Sequence, residues 1–316
     1  MTLTRTTAGL LVFDHFTSDP TDNYTKYEVL PTTAWSQEGS LWSQTSVNVD
    51  AIQRRNSLTT AACVTFRTRL NSDNAFPICM CFTGDTTDGD NQLPCYRLFS
   101  SVGSTTLTLG KRYGGASVSI DTETITALAK DTYYLFRVYV ASGVVYSKFG
   151  ISALTVALSG NDSDITSGSG ALRAGHQVSF DWHDIRTSHI VTCTNLPAGW
   201  KFKISDGTTT AQATESGGTA TVDAGAILFP LANVQVLNDS DEVIETYTSL
   251  SDMGGGDTFQ YAQTKTITIT SDVYTKATNT KLFTANLIIG NTGLQRSYPL
   301  LSEYRTYPAL LRKYPI

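Results

Sequence analysis

Short runs in which apolar and polar residues alternate recur along this chain, and they constrain its fold more than any other feature. They include CVTFRTRL (63–70), TLTLGKRY (106–113), YYLFRVYVAS (133–142) and QVSFDWHDIR (177–186). Clusters of Gly, Asn, Asp and Ser separate the runs, and no stretch keeps a helical period. We therefore expect an all-β protein, and so many short strands predict a sandwich or jelly roll.

Charge and hydropathy argue against nucleic acids and membranes as partners. A net charge of -5 is too small to indicate a polyanion partner, and the basic residues of the last sixty positions are spread out. No run of 18 or more apolar residues is present, so we expect neither nucleic-acid binding nor membrane insertion. The apolar run near the N-terminus is interrupted by Asp14 and His15, which argues against a signal peptide.

The cysteines indicate in which cellular compartment the protein is made. Five cysteines cannot all pair, and Cys79 and Cys81 are spaced to share one face of a strand. Their spacing also lacks the CxxC pairs of a zinc site, so we expect small buried apolar side chains. Synthesis in a host cytoplasm follows, whereas the Thr-rich β-surface is typical of proteins that act outside cells. A virion protein released by lysis satisfies both expectations.

The order of the strand-like segments resembles a known family. LLVFDHF, AWSQEGSLWS, VTFRTRL, TLTLGKRYGG, SDITSGSGALRAG and VSFDWHDIR follow one another. In this order they resemble the strands of a concanavalin A-like or laminin G-like jelly roll, and the turn before the closing FDxxxIR strand is the most specific piece. The resemblance covers about residues 8–187 and implies that residues 1–188 form this domain.

Two further segments follow. Residues 189–250 alternate from Val191 onward with turn signals between them, which predicts a small immunoglobulin-like (Ig-like) sandwich. Residues 251–316 form the last segment. Near its start are three glycines, Gly254 to Gly256, which we interpret as a flexible joint, and a β segment follows them. The chain then ends in an extended arm that repeats Tyr-Pro at Tyr298, Tyr307 and Tyr314. This arm is expected to anchor the protein in an assembly, or else to fold back on its own domains.

The stretch GHQVSFDWHDIRT, residues 175–187, has the densest cluster of acid, base and metal-ligand side chains. In a regular strand Val178, Phe180 and Trp182 would face the core, while Asp181 and His183 would share the outer face. Two such side chains are too few for an ordinary divalent metal site. We therefore interpret the stretch as the closing strand of the jelly roll.

Enzymatic activity is not expected. Glycoside hydrolases of this fold carry an acidic triplet on one strand, and no such triplet occurs here. Glu28, Glu38 and Glu123 are the only glutamates of the first domain, and the sequence lacks both a nucleophile elbow and a phosphate-binding loop. A hydrolase or lyase that uses another pair of carboxylates is the least favoured alternative.

Two groups of residues are candidates for binding. The loop GDTTDGDNQ supplies oxygen ligands suited to Ca²⁺ or is a solvated turn; its candidate ligands are Asp85, Asp88, Asp90 and Asn91. The resemblance favours calcium, since laminin G-like and concanavalin-like domains often bind it near a glycan site. Aromatic rings can stack on sugars unless they belong to the core; the candidates are Trp35, Trp42, Tyr96, Tyr113 and Tyr146.

These observations favour a virion structural protein, either a capsid decoration or a tail or fibre component, as found among phage and archaeal-virus proteins. Its partners would be other virion proteins or copies of itself. The alternative is a carbohydrate-binding adhesin that recognises cell-surface glycans. Apart from calcium, no cofactor is expected.

Overall fold

The computed structural model describes residues 2–16, 23–28, 35–45, 50–55, 61–84, 93–248, 252–262, 269–274 and 281–287. It forms two compact units, Leu3–Gln260 and a second made of Met1–Thr2 with Tyr261–Ile316. All regular elements within the described residues are β-strands except for a single 3-10 position, so the all-β prediction is confirmed. No helix suited to crossing a membrane occurs in the same residues.

The strands are numbered in chain order. β1 to β25 are Thr2–Thr7, Leu10–Asp14, Tyr24–Glu28, Trp35–Glu38, Leu41–Gln44, Asp50–Arg55, Cys63–Leu70, Phe76–Thr83, Cys95–Phe99, Thr106–Tyr113, Ala116–Thr124, Tyr133–Ala141, Val144–Gly150, Val156–Asn161, Ser169–Gly175, Val178–Arg186, Ile190–Thr194, Lys201–Ser205, Thr210–Thr214, Thr219–Asp223, Asn233–Leu237, Val243–Thr248, Thr258–Ala262, Ile269–Tyr274 and Lys281–Leu287.

Two large antiparallel sheets face each other and form the first sandwich. One has the strand order β11-β10-β9-β8-β15-β6-β3; the other has the order β14-β13-β12-β7-β16-β5-β4, with β2 paired to β16. Hairpin neighbours alternate with pairs that are distant in sequence, such as β8–β15, β7–β12 and β7–β16, as in a jelly roll, and the jelly-roll prediction is confirmed. Phe66, Phe136 and Phe180 meet in the core between the sheets at ring separations of 5.0–5.2 Å.

A β-bulge in β16 changes which side chains face this core. The register against β7 shifts between Phe180 and Trp182, so the alternation restarts after the bulge. His183 and Ile185 are fully buried, whereas Trp182 is only partly buried. The prediction that Trp182 faces the core and His183 the outside was therefore wrong, because it assumed an uninterrupted period of two. The Nδ1 atom of His183 lies 2.9 Å from the Tyr24 hydroxyl.

A second, smaller sandwich follows in the same unit. Its sheets have the orders β1-β23-β17-β20 and β19-β18-β21-β22, and Phe202 of one sheet meets Phe259 of the other at 5.8 Å. β17 and β23 pair in parallel, and β1 joins this sheet although it precedes the jelly roll in sequence. Strand pairing thus crosses the predicted boundaries at residues 188 and 250. The Ig-like classification stays a prediction.

The glycines at 254–256 do not form a flexible joint. A Cβ atom on Gly255 would lie 2.2 Å from the Ser188 carbonyl oxygen, and one on Gly254 would lie 2.5 Å from the Arg186 guanidinium. Gly256 has a φ of +84°, which favours glycine. These residues are glycine because the backbone passes through a crowded region, so the prediction of a flexible linker was wrong.

Other predictions concern smaller features. All five cysteines are buried thiols, as predicted. Tyr113 and Ala116 pair across a two-residue hairpin formed by Gly114 and Gly115. Within the C-terminal unit, β24 and β25 pair in an antiparallel ladder.

Candidate functional site

The outer face of the eight-stranded sheet packs against the second sandwich, and we call this contact region the seam. Arg137 of β12 lies at its centre and is fully buried. Its Nε donates to the Thr65 hydroxyl at 2.7 Å, and its Nη1 lies within 3.0 Å of three carbonyl oxygens, those of Ala224, Gly225 and Ile227. A single side chain of the jelly roll thereby binds the backbone of the second sandwich.

A second buried arginine reinforces the same part of the seam. Arg186 donates from Nε to both carboxylate oxygens of Asp184, at 2.9 and 3.0 Å, and both side chains are fully buried. Its Nη1 donates to the carbonyl of Asp252 at 3.0 Å, and the guanidinium groups of Arg137 and Arg186 each lie 4.5 Å from the ring centroid of Phe229. Burial raises the pKa of Asp184, and Arg186 opposes that shift. We call this buried part the closed half of the seam.

The remainder of the seam opens into a cleft of about 270 Å³, which we call the tyrosine cleft. Eight of its lining residues come from the jelly roll and one, Asp223, from the second sandwich. They are Asp121, Tyr139, Tyr146, Ser147, Lys148, Ala157, Leu158, Ser159 and Asp223.

Two tyrosines form an aromatic wall of the tyrosine cleft. Tyr139 and Tyr146 are directly opposite each other in the β12–β13 ladder, so the register itself brings the rings together. Their centroids are 5.1 Å apart and their planes differ by 12°. His189 lies 4.3 Å from Tyr139 and 6.5 Å from Tyr146, so Tyr146 is the outermost of three successive rings.

Carboxylates with spare hydrogen-bonding capacity lie beside this wall. Asp121 accepts from the backbone N–H groups of Thr122 at 2.8 Å and Ser159 at 3.1 Å. Asp223 accepts from the N–H of Gly225 at 2.7 Å, and its side chain is 68% exposed. Each carboxylate oxygen has two lone pairs, so both groups can still accept from ligand hydroxyls.

Tyr139 in the wall of the tyrosine cleft and His189 behind that wall are uncharged near neutral pH. Burial, with a smaller contribution from Asp223, raises the pKa of the Tyr139 phenol, which therefore remains a donor. Burial lowers the pKa of His189, Asp223 opposes this shift, and Arg137 adds to it. The wall therefore presents neutral rings, while the charges of Asp121, Lys148 and Asp223 lie around it.

Three of the aromatic candidates from the sequence belong to the core. Trp35 and Trp42 stack at 5.8 Å, Trp35 also stacks on Phe180 at 6.0 Å, and both indoles are buried. Tyr96 is fully buried, and its hydroxyl donates to Asp162 at 2.8 Å. These rings have no surface for a glycan, so their selection was wrong: alternation does not reveal which face of a strand is covered.

The other candidates have different positions. Tyr113 is 49% exposed at the β10–β11 hairpin, and Tyr146 lines the tyrosine cleft. Asp181 forms a partly exposed ion pair with Arg67 at 2.8 Å. The predicted calcium ligands Asp85, Asp88, Asp90 and Asn91 and the arm residues Tyr298, Tyr307 and Tyr314 lie outside the described residues. Inside them, no three His, Cys, Asp or Glu residues are grouped to hold a metal ion.

Most of the tyrosine cleft was missed from sequence. Its lining residues Tyr139, Lys148, Asp121 and Asp223 were not singled out, and only the segment YVASGVVY carried a usable signal. Its two tyrosines are symmetric about Ser142 and Gly143, which both have positive φ in a tight turn, and this symmetry predicts a cross-strand pair.

No family model matches the sequence, and no curated protein matches it. Several solved structures are similar over about half of the chain. A carbohydrate-binding module of Bacillus subtilis, CBM66, shares 16% identity at a TM-score of 0.39 and covers 50% of this chain and 92% of its own. A Bacillus subtilis protein of unknown function with a galectin-like fold shares 11% identity at a TM-score of 0.46. It covers 58% of this chain and 98% of its own.

The Bacillus licheniformis beta-glucanase shares 10% identity at a TM-score of 0.42 and covers 57% of this chain and 99% of its own. Because identities and TM-scores are low throughout, the fold assignment rests on the strand order and not on these likenesses.

Proposed function

We propose that the protein binds carbohydrate without catalysis and that the glycan occupies the tyrosine cleft. The observation that carries this proposal is the stacked pair Tyr139–Tyr146 beside the carboxylates Asp121 and Asp223. Sugar rings have apolar faces that pack on aromatic rings, while their hydroxyls donate to carboxylates. Tyr146 offers the aromatic surface, and the two carboxylates accept from ring hydroxyls on either side.

The size of the tyrosine cleft restricts the ligand. At about 270 Å³ it lies near the lower end of ligand sites, which span roughly 300–1,000 Å³. We therefore expect recognition of one or two sugar units, such as the end of a glycan chain. Lys148 donates to a ring oxygen or hydroxyl in this arrangement.

The hydrogen bonds of the two carboxylates support binding without turnover. Glycoside hydrolysis usually needs one protonated carboxyl that can donate to the leaving group. The oxygens of Asp121 and one oxygen of Asp223 instead accept from backbone N–H groups, which can only donate. This arrangement suits acceptors of ligand hydroxyls.

A glycan array probed with the whole chain tests the proposal. We expect wild-type protein to bind a restricted set of glycans, and Tyr146→Ala to weaken that binding at least about tenfold, since an aromatic contact is removed. Tyr113→Ala is the matched control, because Tyr113 is an exposed tyrosine outside the cleft lining, and it should bind as wild type does. A blank wild-type array, or equal losses in both variants, contradicts the proposal.

The same array with and without calcium tests the predicted loop site. Binding that needs calcium and is lost in Asp88→Ala supports a calcium ion at residues 85–91. Binding that persists in the presence of a chelator would show that calcium is not required and that the tyrosine cleft alone is sufficient for glycan binding.

We also propose, from the sequence, a role for this chain in a virion, made in a host cytoplasm and acting outside the cell. The five buried cysteine thiols and the Tyr-Pro repeats of the C-terminal sequence support it. Deleting residues 291–316 should abolish incorporation into particles. Unchanged incorporation contradicts anchoring by the arm.

A further inference from the structure

His189 lies directly behind the tyrosine cleft and connects it to the closed half of the seam. It precedes β17, is 5% exposed, and its backbone carbonyl accepts from Ala224 N at 3.1 Å. Its ring packs on Tyr139, while its Nε2 lies 3.8 Å from Asp223 Oδ1. His189 is not itself a lining residue, but its neighbours Tyr139, Tyr146 and Asp223 are.

The surroundings of His189 favour the neutral ring. The titratable and charged groups that face it are Tyr139 and Arg137 of β12, Tyr146 of β13 and Asp223 of β20. Its Nδ1 is buried and has no hydrogen-bond partner among the described residues. Protonation of the His189 ring therefore places a second positive charge near buried Arg137. Among the groups that face the ring, only Asp223 is a carboxylate that can offset this charge.

We propose that His189 is an acid sensor for the tyrosine cleft: its protonation draws the Asp223 carboxylate onto the imidazolium and weakens glycan binding. The inference rests on the proposed function. The separation of 3.8 Å exceeds a hydrogen bond, so Asp223 is available to ligand hydroxyls while His189 is neutral. A charged ring converts this near contact into a charge-assisted hydrogen bond and removes an acceptor from the glycan.

The direction of the pH effect follows from linkage. Burial lowers the pKa of His189 in the folded chain below the ordinary value of 6.5, so the unfolded chain binds the proton more readily. The stability that the neutral ring supports is complete above pH 6.5 and is lost as the pH falls from 6.5 through the folded-state pKa. The acid that weakens binding therefore also loosens this part of the seam.

Binding of the best array glycan at pH 7.5 and pH 5.0 tests the inference. We expect the dissociation constant of the wild type to rise at least about tenfold in acid. His189→Gln keeps a polar side chain that cannot gain a proton, so its affinity should match the wild type at pH 7.5 and change little at pH 5.0. Equal pH dependence in both proteins, or no pH dependence in the wild type, overturns the sensor.

Two further results keep the test decisive. Near-ultraviolet circular dichroism at both pH values checks that each protein stays folded. If His189→Gln does not fold, an NMR titration of the wild-type His189 ring, assigned through its contact with Tyr139, replaces it. A ring titration whose midpoint coincides with the loss of binding supports the sensor, and a separate midpoint overturns it.

Absence of binding at pH 7.5 overturns the proposed function as well, whereas pH-independent binding overturns the sensor alone.

Discussion

The two halves of the seam use similar residue types for different purposes. In the closed half, Asp184 and the two arginines have their partners inside the chain and are fully buried. In the open half, Asp121 and Asp223 keep unused acceptor capacity beside a tyrosine pair and face an open volume. Charge alone therefore does not mark a functional site; the difference lies in whether the charged groups are enclosed among partners within the chain or face an open cleft.

The closed half is therefore expected to stabilise the fold, and the open half is expected to bind the ligand. Buried charges that lose a partner are costly, whereas groups around an open cleft can change with little effect on folding. Substitutions in the closed half should therefore destabilise the fold strongly, and substitutions in the open half should mainly change binding.

The largest effect is expected for Asp184→Ala. It leaves the fully buried Arg186 guanidinium without its carboxylate, and such losses cost about 3–5 kcal/mol. Urea unfolding followed by tryptophan fluorescence measures the change. A loss below about 1 kcal/mol would show that the closed half does not hold the two sandwiches together.

Gly255→Ala is expected to rank next. The new Cβ would lie 2.2 Å from the Ser188 carbonyl oxygen, and overpacking of this kind costs about 1–3 kcal/mol. Gly255 does not have a positive φ, so the expected cost comes from the contact alone; Gly217→Ala, at a φ of +62° with an open Cβ position, measures backbone strain without a contact. Equal urea midpoints for wild type and Gly255→Ala would restore the interpretation of a flexible joint.

Tyr146→Ala should separate binding from stability. Tyr146 is only partly buried, so we expect a stability loss of about 1 kcal/mol or less beside the large loss of glycan affinity. Parallel urea unfolding and glycan titration test this. A loss of stability as large as that of Asp184→Ala would make the tyrosine pair part of the closed half.

The smallest effect is expected for Asp181→Ala. Its ion pair with Arg67 is partly exposed on both sides, at 24% and 42%, and solvent screening limits such pairs to about 0–1 kcal/mol. Neither unfolding nor glycan binding should change measurably. Loss of binding in a folded variant would return a functional role to the GHQVSFDWHDIRT stretch.

The sequence allowed the fold class to be predicted, because alternation and strand order persist over the whole jelly roll. It failed at local irregularities. The bulge between Phe180 and Trp182 exchanged the faces of Trp182 and His183, and no residue type announces such an insertion. The glycines at 254–256 carry the composition of a linker, yet their role is close packing against Ser188 and Arg186.

The tyrosine cleft was less predictable for a geometric reason. Its lining residues combine β11 to β14, successive strands of the jelly roll, with Asp223 of β20, which joins them only when the second sandwich packs against the first. The dense acid and base cluster at 175–187, in contrast, is local in sequence but separated by the bulge onto two faces. Proximity in sequence suggested a site there, while the tertiary arrangement assembled the candidate site elsewhere.

A crystal structure of the protein with its best array glycan tests the role of the tyrosine cleft most directly. We predict a sugar ring packed on Tyr146, with hydroxyls within hydrogen-bond distance of Asp121 and Asp223. A glycan bound elsewhere, for example at Tyr113, with an empty tyrosine cleft would contradict the proposed function.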